Sequence, residues 1–154
     1  MAQISVSAGT YMPTSSTIKN IFGSNSFAWG FGLGSADRTH RSGGGFDIAG
    51  ISLSATNNRF FSVGATYGFE VQSGQGTSTM TYARAGTGIG YYDYDINIGL
   101  NNFKGRPFRQ FSAIEVGAVL SKRITVSAQY LLMPKLSGLD FSGFRLQAMY
   151  SFGS

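Results

Sequence analysis

Strict alternation between apolar side chains and small or polar ones is the feature that most constrains the fold of this chain. In Phe61–Gln72 the alternation runs without an error, with Phe, Val, Ala or Tyr at each odd position and Ser, Gly, Thr, Glu or Gln at each even one. Because successive side chains of a strand point to opposite faces of a sheet, the run predicts a strand with one apolar face. Its length fits a tilted strand that crosses a bilayer, which needs roughly 9–11 residues, better than an average soluble strand of about five or six.

The same rhythm recurs along the chain with turn residues between the segments. We predict eight strands: Gln3–Met12, Ser26–Ser35, Phe46–Ala55, Phe61–Gln72, a fifth from the end of the Ser73–Ser78 connection to Tyr92, Phe108–Leu120, Ile124–Leu132 and Ser142–Phe152. The third changes phase near Ala49-Gly50, where we expect a β-bulge to restore the register. Thr56–Arg59 is expected to be a tight turn, because Asn tolerates positive φ.

Three longer connections complete the chain. Thr14–Gly23 is interpreted as a structured loop with room for one or two helical turns, Asp93–Pro107 as a long polar and aromatic loop, and Pro134–Asp140 as the last loop. No linker or shift in composition divides the sequence, so we expect one domain over residues 1–154.

The composition favours strands over helices, since 22 Gly, 13 Phe and 8 Tyr accompany only 3 Pro and both Gly and aromatic residues are poor helix formers. The longest charge-free run, Asn20–Ala36, is broken by Gly, Ser and Asn, unlike a membrane-spanning helix. Met1-Ala2-Gln3 has no basic or apolar signal region. We expect a mature N-terminus exposed by signal cleavage with Met1 added, and an ordinary cytosolic start is the alternative.

The residues opposite the apolar faces decide between a soluble sheet and a membrane barrel. A soluble antiparallel sheet carries many charges on its outward face, whereas here that face is mostly Gly, Ser, Thr and Ala, and only 12% of the chain is charged. Such small side chains suit the narrow interior of an eight-stranded barrel. The sequence therefore predicts an all-β fold, an antiparallel up-and-down transmembrane β-barrel of about eight strands. A soluble β-barrel or sandwich that carries a small apolar ligand is the alternative.

Aromatic residues lie at or near the strand ends of the apolar face: Tyr11, Phe27, Phe46, Phe61, Tyr67, Tyr91, Tyr130, Tyr150 and Phe152. Rings at head-group depth form the girdles of membrane barrels. The alternative is that these rings form the core of a soluble sheet.

Four charged residues fall on the small-residue faces, namely Glu70, Arg84, Glu115 and Arg145, and their charges balance. A lone charge in a dry interior is very costly, whereas paired and hydrogen-bonded charges are tolerated there. We hypothesise an interior ion-pair network that plugs the lumen. Four unrelated charges at solvated strand ends are the alternative.

Two passages carry a resemblance to a known family. Tyr82–Tyr92 resembles the aromatic, Gly-alternating fifth strand of the small outer-membrane barrel superfamily that includes the transmembrane domain of OmpA, and Phe144–Phe152 resembles its closing strand. The resemblance implies that the closing strand carries a signal read by the barrel assembly machinery, with these residues: Phe144, Leu146, Ala148, Tyr150 and Phe152. The family's terminal aromatic is usually the last residue, whereas Gly153-Ser154 follow here.

The resemblance also implies a bacterial outer-membrane location with both termini in the periplasm, so that Pro13–Asn25 and Asp93–Pro107 face outside. We hypothesise that Lys104, Arg106 and Arg109 contact lipopolysaccharide phosphates, a merely solvated loop being the alternative. The net charge of +5 suits anionic head groups.

Catalytic and cofactor motifs are missing from the sequence. It has no Cys, no HExxH and no phosphate loop, so we expect no metal and no cofactor. Asp93 and Asp95 are too few for more than weak cation binding. His40 and Ser42 resemble the His and Ser of outer-membrane lipid A deacylases, but they lie in an early polar connection rather than on a late strand, so we expect no catalysis.

We therefore expect a non-enzymatic outer-membrane β-barrel protein with a structural, anchoring or loop-presenting role and a largely plugged lumen. A narrow pore for ions or small solutes ranks next, and a lipid-modifying enzyme last. The expected partners are outer-membrane lipids, lipopolysaccharide and the assembly machinery, without nucleic acid, and we expect a monomer.

Overall fold

The computed structural model describes residues 2–35, 42–73, 79–121 and 123–152. Within them lie one helix, α1 (Ser16–Phe22), and nine strands. The strands are β1 (Ala2–Pro13), β2 (Ser26–Ser35), β3 (Ser42–Ala55), β4 (Asn58–Ser73), β5 (Met80–Ile98), β6 (Asn101–Gly105), β7 (Phe108–Val119), β8 (Ile124–Leu132) and β9 (Gly143–Phe152).

Eight of these strands close into an antiparallel up-and-down barrel, which confirms the predicted fold class. Each long strand pairs with its neighbour in the chain, β5 pairs with β7, and β9 pairs with β1 to close the ring. The outermost long strands of the ordered sheet, β4 and β5, also pair with each other, so the ring has no free edge. β6 pairs only with β5. Because the ring has an even number of strands, β1 begins and β9 finishes at the same end of the barrel, which we call the terminal end.

The opposite end, called here the capped end, carries α1, the two-residue turn between β3 and β4, the β5–β6 hairpin and residues 133–142. The turn is tight as predicted, with Asn57 at φ 60°. The structured loop after β1 contains the seven-residue helix α1. No helix among the described residues is long and apolar enough to cross a membrane.

The prediction that Asp93–Pro107 is a loop is wrong. β5 continues to Ile98, the chain reverses at Gly99 (φ 60°), and β6 returns along the same edge of β5 that β7 then occupies. The segment between β6 and β7 does not turn, and the Pro107 carbonyl accepts a hydrogen bond from the Tyr92 amide at 3.0 Å. The period of two continues into this hairpin with its phase reversed, since Tyr92, Tyr94 and Ile96 alternate with the polar Asp93, Asp95 and Asn97.

The predicted β-bulge in the third strand is also wrong, because β3 pairs with β4 in one unbroken register from Ser42 to Ala55. The phase change has another cause. Phe46 points outward and is 39% exposed, whereas Ile51 and Leu53 point into the barrel and are 2% and 1% exposed. The strand keeps its pleat, and its apolar residues change from the outer to the inner face.

β5 undergoes the same exchange of polarity. Up to Tyr91 its outward residues are uncharged and its inward residues are mainly Gly, whereas beyond it Asp93 and Asp95 point outward and Tyr92, Tyr94 and Ile96 are buried inside. Ile51 and Tyr92 are both register partners of Ser62. The change from an apolar outer face to an apolar inner face therefore occurs at one height of the barrel, in the row of register partners Ile51, Ser62 and Tyr92 on β3, β4 and β5.

The inward apolar residues form a core inside the capped end. Phe60 and Phe141 stack with ring centroids 4.1 Å apart, and the fully buried Ile18 of α1 packs into the same cluster. Its larger members are Tyr11, Ile18, Phe22, Ile51, Leu53, Phe60, Tyr92, Tyr94, Ile96, Leu131, Met133, Leu136 and Phe141. Tyr11 was predicted to point outward, and this is wrong: its hydroxyl donates to the Phe141 carbonyl inside the core.

We expect Phe60→Ala to lower the free energy of unfolding by about 3–5 kcal/mol, because it leaves a cavity in a packed core. Phe61→Ala is the matched control, since the neighbouring ring lies on the outer face and is 38% exposed. Its loss should be smaller. Urea titration of the refolded protein in detergent micelles measures both, and equal losses would contradict the interior position of this core.

Candidate functional site

We call four inward-facing charged side chains on β3, β5, β7 and β9 the ionic layer: Asp47, Arg84, Glu115 and Arg145. Glu70 of β4 also lies on the inward face, as the register partner of Arg84. Each lies between two neighbours on the outer face, so the pleat itself directs it inward. The layer lies between the apolar core of the capped end and the terminal end. Two cations face two anions in it.

Arg84 is held by β3 from across the barrel. Its Nη1 forms an ion pair with the Asp47 carboxylate, and its Nη2 donates to the Gly45 carbonyl at 2.5 Å. Gly68 gives the guanidinium room, because a Cβ at that position would come within 2.7 Å of Arg84 Nε. These contacts fix one cation of the layer in a defined place.

Glu115 is buried and accepts two hydrogen bonds. Tyr82 donates its hydroxyl at 2.6 Å, and Gln129 donates its Nε2 at 3.3 Å. The Tyr82 ring lies over Gly117, where any Cβ would meet it at 2.6 Å. Hydrogen bonds of this kind replace the water that a buried carboxylate gives up.

Arg145 is 4% exposed and completes the layer. It borders a cavity of 10 Å³ together with Asp47 and Glu115, which is about the space that one water molecule needs. Its Nε and Nη1 donate no hydrogen bond to another described residue. The two carboxylates on the same cavity supply its electrostatic balance.

The predicted network and the observed one share three residues. The structure brings Arg84, Glu115 and Arg145 together, whereas Glu70 forms no ion pair with its register partner Arg84 and instead accepts a hydrogen bond from Gln72 at 2.5 Å. Asp47 was missed. Its signal is present in the sequence, because it lies between the in-phase Phe46 and Ile48 and before the expected bulge.

The lumen is filled at the layer and on its capped side. Above it, a second cavity of 20 Å³ lies between Tyr92, Phe111, Leu131 and Met133 and the guanidinium of Arg145. Neither cavity can hold more than a water molecule or two. Side chains, and not an open channel, therefore occupy the described interior.

The three predicted lipopolysaccharide contacts lie outside the barrel at the capped end. Lys104 Nζ lies 3.3 Å from Asp95, and Arg106 Nε lies 3.4 Å from Asp93. Arg109 is exposed, and its contact among the described residues is with the Phe108 carbonyl, at 3.4 Å. Arg59 also reaches Asp93, at 3.6 Å. Three cations, Arg59, Lys104 and Arg106, therefore face two carboxylates, so the cluster keeps a positive excess.

Asp95 is anionic at neutral pH. A hydrogen bond from Asn102 Nδ2 at 3.0 Å, together with the nearby Lys104 ammonium, holds the pKa of Asp95 below its ordinary value. Asp93 and Asp95 are thus engaged by cationic side chains. No group of three or more acidic, His or Cys residues within the described ranges could hold a metal ion.

The five residues predicted to form the assembly signal all lie on the outward face of β9: Phe144, Leu146, Ala148, Tyr150 and Phe152. The Phe144 ring contacts Tyr130 with centroids 4.9 Å apart, and Tyr150 contacts Phe152 at the same distance. His40 and residues 153–154 lie outside the described part of the chain, and the Ser42 side chain does as well.

No family model matches the sequence, and no curated protein matches it. Among solved structures, Neisserial surface protein A has a TM-score of 0.71 at 12% identity, covering 97% of this chain and 95% of its own. Ail, the attachment invasion locus protein of Yersinia pestis, has a TM-score of 0.58 at 13% identity, covering 98% and 99%. The outer membrane enzyme PagL has a TM-score of 0.56 at 16% identity, covering 96% and 97%. At these identities the likeness shows the fold.

We expect Asp47→Asn to lower the free energy of unfolding by about 2–3 kcal/mol, because it leaves the Arg84 guanidinium buried without its counterion. This loss of unfolding free energy is smaller than that expected for a fully buried ion pair, since the Asp47 side chain is 27% exposed. Glu70→Gln is the control and should cost less than about 1 kcal/mol, because no ion pair with Arg84 is lost. Urea titration of both refolded variants tests this, and a larger loss in the control would refute the assignment.

Proposed function

Because the chain has the fold of the small eight-stranded outer-membrane barrels, we propose that it is an integral outer-membrane protein that anchors and presents the surface of its capped end. One observation carries the proposal: the outer wall is largely apolar, and on β4, β5 and β6 it becomes charged beyond the Tyr91 row. Large apolar side chains on that wall stay exposed, among them Tyr67 at 66% and Phe69 at 58%. Hydrocarbon is the medium that suits such a surface.

The lumen in this proposal is closed, and the protein acts without catalysis. The ionic layer and the apolar core fill the barrel at two successive levels. PagL shows that this fold also supports an enzyme, so the fold alone does not decide the matter. What supports a non-enzymatic role is the chemistry of the described interior, where Arg84 and Glu115 are engaged by structural partners.

The alternative of a soluble carrier is opposed by two features. Its apolar side chains would have to face water over most of the outer wall, and its interior would need a ligand cavity of about 300–1,000 Å³. The interior cavities described above measure 10 and 20 Å³. A narrow pore would need the ionic layer and the core to open together.

The orientation and the partners are part of the same proposal. The terminal end lies in the periplasm, and the capped end lies outside. The outward residues of β9 form the signal for the barrel assembly machinery. Lys104 and Arg106, which stand just beyond the apolar wall, and Arg109, next to Phe108 at its edge, contact the phosphates of lipopolysaccharide. The net positive charge of this cluster supports the contact with phosphates.

We expect the refolded protein to need detergent or lipid and to migrate differently on a gel before and after boiling. A closed membrane barrel resists unfolding by the gel detergent until it is heated, because every strand edge is paired. Gel electrophoresis with size-exclusion chromatography in plain buffer provides the measurement. A monodisperse protein in buffer without detergent would favour the soluble carrier.

We expect planar bilayers containing the protein to show no steady current above the leak, with a general porin as the positive control. Asp47→Asn should also stay closed, because the apolar core seals the barrel at a second level. A steady current from the unmodified protein would instead establish the pore.

A further inference from the structure

Three polar residues interrupt the apolar outer wall between β5 and β7, and we call them the polar notch: Thr87, Gln110 and Ser112. The Gln110 side chain donates to Thr87 Oγ1 at 3.0 Å, and Thr87 in turn donates to the Phe111 carbonyl at 3.0 Å. Thr87 and Ser112 are register partners. Their surroundings are apolar, with Ile89 at 63% and Ile114 at 62% exposure.

The notch retains unused hydrogen-bonding capacity. Within the described part of the chain, Gln110 keeps its amide oxygen and one N–H free, and the Ser112 hydroxyl makes no hydrogen bond. In hydrocarbon such groups are costly unless a partner satisfies them. A partner with donors and acceptors at this depth is therefore required if the wall faces lipid.

The depth of the polar notch in the apolar wall can be measured from two aromatic rings at the edge of that wall. The Tyr91 and Phe108 rings, with centroids 5.2 Å apart, lie above it at the edge of the apolar wall. With a rise of about 3.3 Å per residue and a strand tilt of about 40°, Gln110 lies about 5 Å below these rings, and Thr87 and Ser112 lie about 10 Å below them. Above the rings stand Lys104 of β6 and Arg106, each beside a carboxylate of β5, whereas Arg109 lies one residue below Phe108 on β7. These three cations are called the cationic cluster.

We propose that the notch binds the amide and ester linkages of an acylated, phosphorylated glycolipid whose phosphates lie on that cationic cluster. Such a lipid places charged phosphates at the surface and its acyl linkages just beneath, in the same vertical order as the cations, rings and polar side chains here. The inference rests on the proposed outer-membrane location and names the ligand of that surface. A second copy of the chain is a competing occupant, and the experiment distinguishes it.

The test uses purified lipid A, titrated into the full chain refolded in glycolipid-free micelles, with the rise in unfolding temperature as the readout. A notch variant combines Thr87→Val, Gln110→Leu and Ser112→Ala. We expect it to need about tenfold more lipid A for the half-maximal rise, and its response to phosphatidylglycerol to stay unchanged. Gln110→Leu alone should need about threefold more and serves if the triple variant does not refold.

Two controls accompany it. Thr10→Val removes an outward hydroxyl from β1, on another part of the wall, and should leave lipid A binding unchanged. Without glycolipid, the notch variant should unfold at the same or a higher temperature, because apolar side chains replace polar ones on an apolar wall. A lower temperature together with unchanged lipid A binding would mean that the notch serves stability, and the inference would fail.

A charge variant, with Lys104, Arg106 and Arg109 all replaced by Ser, separates this inference from the proposed phosphate contact. Weaker lipid A binding in the charge variant alone would overturn the notch and support the phosphate contact. Weaker binding in the notch variant alone would support the notch and remove the phosphate contact. If the notch variant changes the oligomeric state in micelles and leaves lipid A binding intact, the notch joins two copies of the chain and the inference is wrong.

Discussion

Strand β5 has one face toward the barrel interior and one toward the outside. Between Tyr91 and Tyr92 the apolar residues change from the outer face to the inner face. Below this row the outer face is uncharged and largely apolar, and the inner face is small. Above it the outer face carries Asp93 and Asp95, and the inner face carries buried rings. Because a strand cannot change which side a given residue faces, the row of exchange marks the height at which the outer wall meets water in the proposed membrane orientation.

The contents of the barrel follow from the same row. At the height of the apolar wall the interior is narrow, and Gly45 and Gly68 leave room for the Arg84 guanidinium. Charges are held there because each meets an opposite charge or a hydrogen-bonding side chain. Above the row, where the outer face is polar, the interior can be apolar as in a soluble protein, and Phe60 stacks on Phe141. The barrel is thus closed by charge at one level and by packing at the next.

The alternation predicted the strands well wherever one face is apolar over its whole length. The second strand was predicted with both of its observed bounds, and the fourth was predicted to within three residues at its start. The prediction failed where the exchange occurs. In β3 the change of phase resembled a bulge, and in β5 the reversed phase beyond Tyr91, with Asp93 and Asp95, resembled a polar loop, because an apolar face was expected to stay on one side throughout. Asp47 was missed although it lies between Phe46 and Ile48, whereas Arg84, Glu115 and Arg145 were predicted from stretches of regular alternation.

The sequence by itself determined that the chain forms long two-faced strands, since the period of two and the abundance of Gly, Ser and aromatic residues are local properties. It also determined which wall is apolar. Only the tertiary structure decided which charges meet, because the partner of Arg84 is set by the positions of β3 and β5 on either side of β4 and not by any spacing in the chain. The interior core at the capped end was likewise decided by closure, since Ile18, Leu53 and Phe141 come together only when the strands form a ring.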